Sequence, residues 1–570
     1  MKAPFTFDIS QVPFSRRGSR FAFGRLPEKR AKELGKKPGL FFRTAAGAVP
    51  MNKREIFRLE AMINGKVLSA TERAMPEALE LLGEGNQKIE IAFIDEKRVI
   101  FRGSGLGMRL SGDGGWYTTF RPAGSHVWEL NLFAQRCQLM LTLRAGEMKI
   151  DAPWDKDSCK HVKIDLEAAS SGTWELEIEE FCTAWKAPKK LVSLDSARSS
   201  ASAEYLAWLE KSLPAPKKLE EPRALAAYIN WASLVSPRGH FQREAMLMSK
   251  NWMINVWSWD HCFNSIALAK LQPKLAWDQW MVMFDHQHPQ GALPDCINDA
   301  EIIWNFTKPP VHGWALGEML KQGFKPTQAQ LKTALSHLIP WTDWWLTYRD
   351  DDHDGLPNYN HGNDSGWDNA TVMGSGPPVE GADLTTFLIL QMEVIAEIYD
   401  HLTKPKEATK WRQRAAELFQ KLVSHSWRDD HFVCPKSETH EIADGDSLVP
   451  FMTLLLGQRL QEEQRKALVK GVKRFITEHG IATENPNSSH YQPNGYWRGP
   501  IWAPSTHLII CGLLACGEDQ LASKVSRAFC KTCARSGMAE NFDALSGEGL
   551  CDRAYTWTAS VFQILAAKEV

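Results

Sequence analysis

The stretch Leu384-Thr-Thr-Phe-Leu-Ile-Leu-Gln-Met-Glu-Val-Ile-Ala-Glu-Ile398 decides the fold class of the second half of the chain. Its large apolar residues recur at spacings of three and four, which places them on one face of an α-helix. They are Leu384, Phe387, Leu388, Met392, Ile395 and Ile398. The same period returns near 222–236, 328–348, 406–424, 460–476 and 554–567. We therefore predict an all-α domain over residues 222–570, with about ten to twelve helices of ordinary length.

The first part of the chain has a different period. In Lys88-Ile-Glu-Ile-Ala-Phe93, apolar and other residues alternate, as they do around Val162–Leu166 and Trp174–Ile178. Alternation of this kind is typical of half-buried strands. Turn-forming stretches such as Ser111-Gly-Asp-Gly-Gly115 lie between these runs. The pattern predicts an N-terminal antiparallel β-sandwich over residues 1–185.

A segment rich in proline and lysine separates the two patterns. It includes Lys186-Ala-Pro-Lys-Lys190 and Leu213-Pro-Ala-Pro-Lys-Lys218, and we interpret residues 186–221 as a linker with helical segments. Beyond it, amphipathic helices alternate with loops that carry glycine, tryptophan and aspartate. That alternation favours an (α/α)6 barrel, whose loops gather at one end to form a cleft. The period alone does not count the helix pairs.

Composition narrows the class of ligand. The 570 residues include 67 Lys and Arg against 68 Asp and Glu, a formal net charge of -1. No whole-chain field therefore attracts nucleic acid or an anionic membrane. The chain shows neither a secretory signal nor an apolar run long enough to span a bilayer, so we expect a cytoplasmic protein. Its 11 cysteines are scattered, and the one CxxC pair, Cys530 and Cys533, lacks a second pair to complete a zinc site.

Two carboxylates stand in distinctive surroundings. Asp368 lies in His361-Gly-Asn-Asp-Ser-Gly-Trp-Asp-Asn369, and Glu540 lies in Met538-Ala-Glu-Asn-Phe-Asp543. A glycosidase needs one carboxylic acid to protonate the leaving oxygen and a second carboxylate to activate water or attack the anomeric carbon. Asp368 alone would also fit an Asx-turn or a helix N-cap. Glu540 has a competitor in Glu548, and the spacing does not decide between them.

Several segments resemble those of a known clan. They are Trp257-Ser-Trp-Asp260, Ser365-Gly-Trp-Asp-Asn369, Tyr496-Trp-Arg-Gly-Pro500 with Trp502, and Ala539-Glu-Asn-Phe-Asp543 followed by Ser546-Gly-Glu-Gly549. Together they are similar to the inverting (α/α)6-barrel α-glycosidases, which include trehalases, processing glucosidases of glycoside hydrolase family 63 and mannosylglycerate-type hydrolases. Directly before Tyr496 in the third segment, Gly495 replaces the asparagine that is usual in the clan.

The resemblance implies roles for individual residues. It assigns Asp368 as general acid and prefers Glu540 over Glu548 as general base. The expected sugar-binding residues are Trp257, Trp259, Trp304, Trp367 and Trp502, which would stack on or wall the sugar; Asp260, Asn369 and Arg498, which would hold its hydroxyls; and Gln290 and Gly499. Inversion requires the two carboxyl groups to stand about 6.5 to 9.5 Å apart. Asp368 must be protonated near neutral pH, whereas Glu540 must be ionised with donors or a cation nearby.

A short acidic loop is a weak candidate for calcium. Asp350, Asp352 and Asp354 precede Gly355 with the spacing of a calcium loop, but His361 occupies the twelfth position, where a bidentate glutamate is needed. A polar turn leading into the Asp368 loop is the alternative. We expect no catalytic metal and no organic cofactor.

The sequence thus predicts a glycoside hydrolase that cleaves a terminal α-linked sugar, with glucose as the first candidate, from a short oligosaccharide or a glucosylated small molecule. The alternatives are another sugar enzyme on the same barrel, such as an isomerase, an epimerase or a phosphorylase, and a non-catalytic carbohydrate-binding protein. A phosphorylase would need a phosphate pocket in place of the base. The expected partner is a small carbohydrate, and the oligomeric state is left open.

Overall fold

The computed structural model describes residues 5–168 and 172–570. The chain forms two compact units that interleave along the sequence. The first contains residues 1–211, 227–254 and 298–301, and the second contains 212–226, 255–297 and 302–570. The predicted division into 1–185, 186–221 and 222–570 is coarser than this interleaving and stays a prediction. Among the described residues, no helix has the length and apolarity to cross a membrane.

The first unit is built on antiparallel sheets. Strands β1 to β17 are Phe21–Leu26, Gly39–Thr44, Glu55–Ile63, Lys66–Val67, Thr71–Ala74, Leu79–Leu82, Lys88–Phe93, Arg98–Ser104, Gly107–Asp113, Thr119–Gly124, Val127–Leu132, Cys137–Ala145, Glu147–Asp151, Trp154–Asp155, Ser158–Cys159, His161–Glu167 and Thr173–Phe181. One sheet has the order β1-β2-β3-β9-β16-β13, with β4 paired to β3; the other has the order β10-β11-β12-β17-β8-β7-β6-β5. The predicted N-terminal antiparallel β-structure is confirmed.

The strand registers explain why alternation predicted these strands. Phe101 pairs with Ile91 on one side and Leu176 on the other, and Leu110 of the other sheet pairs with Ile164. All five side chains are almost fully buried in one apolar cluster. Side chains from alternate positions of both sheets thus fill one core, as in a β-sandwich.

The helices of the chain are α1 Glu28–Glu33, α2 Leu194–Glu210, α3 Glu220–Ser233, α4 Asp260–Leu268, α5 Pro273–Met281, α6 His312–Lys321, α7 Gln328–Tyr348, α8 Gly362–Ser365, α9 Ala382–His401, α10 Pro405–Ser426, α11 Glu462–Val472, α12 Ala503–Ala515, α13 Asp519–Ser536 and α14 Thr556–Ala567. A 3₁₀ segment spans Val449–Arg459. Helix α2, in the stretch interpreted as a linker, packs Leu194 and Ala197 against Ala92 and Ile100 of the first unit.

A closed inner ring defines the second unit. The ring consists, in order, of α4, α6, α9, the 3₁₀ segment, α12 and α14. Each element packs against the next, and α14 packs against α4. All nine residues of α4 are buried, whereas the outer helices α10 and α13 bury one face only. Six inner elements with helices outside them make an (α/α)6 barrel, as predicted.

The connections fix where the loops gather. An outer helix returns the chain after each inner element, so successive inner elements run in the same direction. Their N-termini therefore meet at one end of the barrel. The segments that enter α4, α6 and α12 there are 256–259, 307–311 and 501–502.

Two small sheets brace these entry segments. The short strands β18 to β27 are Leu234–Val235, Ala245–Met246, Val256–Trp257, Cys296–Ile297, Ile302–Ile303, Trp427–Arg428, His431–Phe432, Ile501–Trp502, Asn541–Phe542 and Gly549–Leu550. β20, β21 and β22 form one three-stranded sheet, and β25, β26 and β27 form another. Each holds chain segments that are distant in sequence beside one another.

Candidate active site

The loop that carries Asp368 is fixed by the carboxylate of Asp364. Asp364 is buried and accepts hydrogen bonds from the backbone N–H groups of Thr307 and Asn360, both at 3.0 Å. Gly366 then adopts a left-handed φ of 73°, and a Cβ there would lie 2.6 Å from the Trp259 ring. The turn needs glycine for both reasons. It delivers Asp368, which is half-buried, to the end of the barrel.

Packed indoles form a wall behind the site. The rings of Trp497 and Trp502 stack with centroids 4.0 Å apart, and Trp367 lies 4.7 Å from Trp497. Trp259, Trp367 and Trp502 are at most 2% exposed. Because neighbouring rings already cover them, these three predicted sugar-binding residues can wall the site but offer little open stacking face. Trp257, on β20, is half-buried.

The Asn369 amide holds the adjoining loop. Its Oδ1 accepts a hydrogen bond from the N–H of Trp497 at 2.9 Å, and its Nδ2 donates to the carbonyl of Gly495 at 3.0 Å. Arg498 Nε donates to the Asn369 carbonyl at 2.8 Å. Asn369 was predicted to hold a sugar hydroxyl, but its amide is engaged in joining the acid loop to the loop of 495–498. Gly499 is buried with a φ of 150°, and a Cβ there would lie 2.4 Å from the Gln492 carbonyl oxygen.

A β-hairpin separates Glu540 from Glu548. Trp502 pairs with Asn541, and the N–H of Asp543 donates to the Glu548 carbonyl at 2.9 Å, which closes the hairpin. Glu540 is 5% exposed, whereas Glu548 is exposed at the turn. Burial in the barrel end therefore favours Glu540 as the base.

The surroundings of Glu540 differ from the expectation for a resting base. Its Oε1 accepts a hydrogen bond from the Tyr496 hydroxyl at 3.3 Å, and its Oε2 accepts one from the N–H of Asp552 at 3.3 Å. Burial, followed by the nearby charge of Asp552, raises the pKa of Glu540 to about 8. The predicted donors are present, and the raised pKa differs from the expectation of a carboxylate ionised at neutral pH.

A buried lysine, Lys308, lies on the side of the site that carries Asp368, which we call the acid side. Lys308 Nζ is 2.8 Å from Asp295 Oδ1 and donates to the Asn363 carbonyl at 2.7 Å. Burial raises the pKa of Asp368, Lys308 opposes the rise and Asp295 adds to it. The direction is the one predicted for a general acid. Asp260, 3% exposed at the start of α4, has a pKa raised by burial to about 8, again opposed by Lys308.

Sequence reasoning missed Lys308, Asp295 and Tyr496. The quoted motif contained Tyr496, but nothing in it showed that the hydroxyl bonds Glu540. Lys308 before two prolines, at the entry to α6, was the available signal for the buried cation. In contrast, the predicted residues Gln290 and Trp304 are exposed, and Trp304 has 43% of its surface accessible. They lie outside the buried carboxylate cluster.

The calcium candidate is compact. The carboxylates of Asp350, Asp352 and Asp354 offer ligand atoms within 4.8 Å of one another. Backbone N–H groups already donate to them, including that of Glu438 to Asp352 at 2.9 Å. Calcium binding here stays a prediction.

This chain is similar in sequence and fold to known glycoside hydrolases. A family model described as the mannosylglycerate hydrolase MGH1-like glycoside hydrolase domain matches residues 253–558. Mannosylglycerate hydrolase MGH1 of Selaginella moellendorffii is 20% identical over 386 residues, covering 54% of this chain and 78% of the relative. Glucosylglycerate hydrolase of Mycolicibacterium hassiacum is 22% identical over 408 residues, covering 54% and 90%. A crystal structure of bacterial glucoamylase complexed with acarbose aligns at 10% identity with a TM-score of 0.66, covering 99% of this chain and 95% of that chain.

Proposed function

Because the chain belongs to the mannosylglycerate hydrolase MGH1-like glycoside hydrolases, we propose that it removes a terminal α-linked hexose from a small glycosylated acid, with inversion at the anomeric carbon. Glucose is the first candidate for the hexose and mannose the second, since the relatives' names include both glucosylglycerate and mannosylglycerate. The aglycone is then glycerate or a hydroxy acid of similar size.

The convergence of the carboxylates at Tyr496 is the observation that carries this proposal. The Tyr496 hydroxyl donates to Glu540, and the charges of Glu540, Asp368 and Asp260 all raise the pKa of that hydroxyl beyond the effect of burial. Carboxylates from three separate segments therefore lie near enough to Tyr496 for their charges to act on its hydroxyl. Two of them are those that the family resemblance assigned as acid and base.

In the proposed reaction, Asp368 donates its proton to the glycosidic oxygen as the bond to the anomeric carbon breaks. Glu540 removes a proton from a water that attacks the opposite face of that carbon. The sugar leaves with inverted configuration, Asp368 is left ionised and Glu540 protonated, and exchange with solvent restores both. Asp260 would accept hydrogen bonds from sugar hydroxyls. The indole wall excludes bulk water from the reacting atoms.

Arg498 is the residue that we propose binds the carboxylate of the aglycone. Within residues 5–168 and 172–570, its Nε bonds the Asn369 carbonyl, while its two Nη groups have no hydrogen-bond partner. A guanidinium with two free donors can hold a carboxylate in a bidentate manner. Its anchor, the residue next to Asp368, places it at the acid side, where the leaving group must be.

A substrate panel tests the proposal. Glucosylglycerate and mannosylglycerate would be compared with kojibiose, nigerose, trehalose, maltose, isomaltose and sucrose, and released monosaccharide measured. We expect the acids to be cleaved with the highest kcat/KM. Arg498→Met should raise KM for the acids, by roughly tenfold or more if a charge-assisted bond of about 1.5 kcal/mol or more is lost, and leave KM for a neutral disaccharide nearly unchanged. Equal losses on both classes would remove Arg498 from aglycone recognition, and exclusive cleavage of neutral disaccharides would refute the acidic aglycone.

A further inference from the structure

Three side chains with metal-binding groups meet inside the barrel, in a part of the second unit that the proposed reaction does not use. Glu318 lies on α6, and His507 and Cys511 lie on α12. His507 and Cys511 are four positions apart, so they project from the same face of their helix. Cys511 is eight residues beyond the first residue of α12, about 12 Å along the helix axis from the end where the carboxylates gather.

The distances between these groups are close to those of a zinc site. The Cys511 Sγ lies 3.9 Å from Glu318 Oε2 and 3.8 Å from His507 Nε2. In a tetrahedral zinc site, bonds of about 2.3 Å to sulfur and 2.0–2.2 Å to nitrogen or oxygen place the ligand atoms about 3.6 Å apart. The two separations from the sulfur exceed that value by only a few tenths of an ångström, and all three ligand atoms lie within 4.8 Å of one another. A thiol hydrogen bond would be a weak use of the same contacts.

The imidazole of His507 has little else to bind. It is 1% exposed, and across residues 5–168 and 172–570 the Cys511 sulfur, at 4.0 and 3.8 Å, is the one hydrogen-bond partner of its ring nitrogens. Buried polar groups ordinarily have a good partner.

We propose that Glu318, His507 and Cys511 bind one Zn²⁺ ion, with water as the fourth ligand. On binding, the S–H bond of Cys511 breaks, an S–Zn bond forms and the proton passes to solvent. The carboxylate and the thiolate then balance the charge of the ion. Glu318 keeps its second oxygen for Lys321, at 2.7 Å, and the partial exposure of Cys511 gives the ion a route from solvent. Zinc suits this mixed sulfur, nitrogen and oxygen set.

A second group of possible ligands, His261, Cys262 and His312, already has a hydrogen bond between its two imidazoles. The Nδ1 of His261 lies 2.8 Å from the Gln279 carbonyl, to which it donates, and its Nε2 lies 3.2 Å from His312 Nε2. A metal there would have to break the bond between the two rings. Glu318, His507 and Cys511 have no comparable bond to lose.

Cobalt binding to the full-length protein tests the site. Co²⁺ would be titrated into metal-free wild type and into Cys511→Ser, Glu318→Gln and Cys516→Ser, with thermal unfolding to establish that each variant folds. Cys516 is a matched control, because it is half-buried at the end of the same helix. We expect one Co²⁺ per chain with cobalt–thiolate absorption that Zn²⁺ abolishes by displacement. Cys511→Ser should lose the absorption, Glu318→Gln should bind more weakly, and Cys516→Ser should match wild type. Absence of thiolate absorption in wild type, or its persistence in folded Cys511→Ser, would overturn the proposal, and Glu318→Gln decides if Cys511→Ser does not fold.

Discussion

The acid side and the base side of the candidate site differ in the sign of the charged group that acts most strongly on each carboxyl. Asp368 lies near a buried cation, Lys308, which opposes the rise in its pKa, whereas Glu540 lies beside another carboxylate, Asp552, which adds to the rise. Resting charges would therefore help Asp368 lose its proton and Glu540 keep one, the reverse of their proposed roles. The proposed roles therefore depend on the face of the sugar that each group contacts. The pH dependence of kcat/KM should show the difference between the resting protonation states and these roles.

Removal of either carboxylate should have the largest effect. Asp368→Asn and Glu540→Gln each keep the shape of the side chain but lose the proton transfer, which contributes roughly 10²–10⁴-fold to a rate. We expect kcat to fall by that factor with the fold intact, measured as hydrolysis of the best substrate in the panel. Glu548→Gln is the matched control and should retain nearly full activity. A large loss in Glu548→Gln with activity kept in Glu540→Gln would reverse the assignment of the base.

Replacement of the buried cation, Lys308, should have the next largest effect, on the acid side. Lys308→Met leaves Asp295 buried without its partner, and such a change costs about 3–5 kcal/mol of unfolding free energy. Chemical denaturation should show that loss, and Lys308→Met with Asp295→Asn should recover part of it. With Lys308 gone, the pKa of Asp368 rises, so the limb of the kcat/KM profile that reports Asp368 should move to higher pH. A profile in which neither limb moves would mean that Lys308 only supports the fold.

The charge of Asp552 should control the base side. Since the pKa of Glu540 is raised to about 8, this group is mainly protonated below that pH, and the protonated form cannot accept a proton from water. We expect one limb of the wild-type profile of kcat/KM against pH to lie near pH 8. Asp552→Asn removes the charge that adds to the rise, so this limb should shift to lower pH. Glu548→Gln should leave it in place, and a limb unaffected by Asp552→Asn would assign it to another group.

Sequence periodicity predicted what repeats and missed what depends on long-range contacts. Helix α10 buries one face at helical spacing, and the large apolar residues of α9 recur at that spacing although most of this inner helix is buried, so the pattern located both. The 3₁₀ segment Val449–Arg459 is buried almost throughout its apolar part and shows no period. Lys308 reached the site because its segment enters an inner helix, and Asn369 joined two loops 126 positions apart through its bond to Gly495. The two prolines after Lys308 mark its segment, but neither contact can be derived from the local sequence.

Calcium should have the smallest effect, and only on the acid side, because the acidic loop leads into the segment that carries Asp368. Calcium at a few times its Kd should stabilise the wild type by about 1 kcal/mol, seen as a higher Tm that a chelator reverses. Asp352→Asn should abolish the response. A Tm that does not respond to calcium in the wild type would leave this loop as a polar turn.

The anomeric form of the first product tests the central claim most directly. Proton NMR of a fresh reaction on the best α-linked substrate would follow the released sugar before it mutarotates. Water activated by Glu540 on the face opposite Asp368 predicts that the β-anomer appears first. Appearance of the α-anomer first would mean retention and would contradict the assignment of Asp368 and Glu540 as an inverting pair.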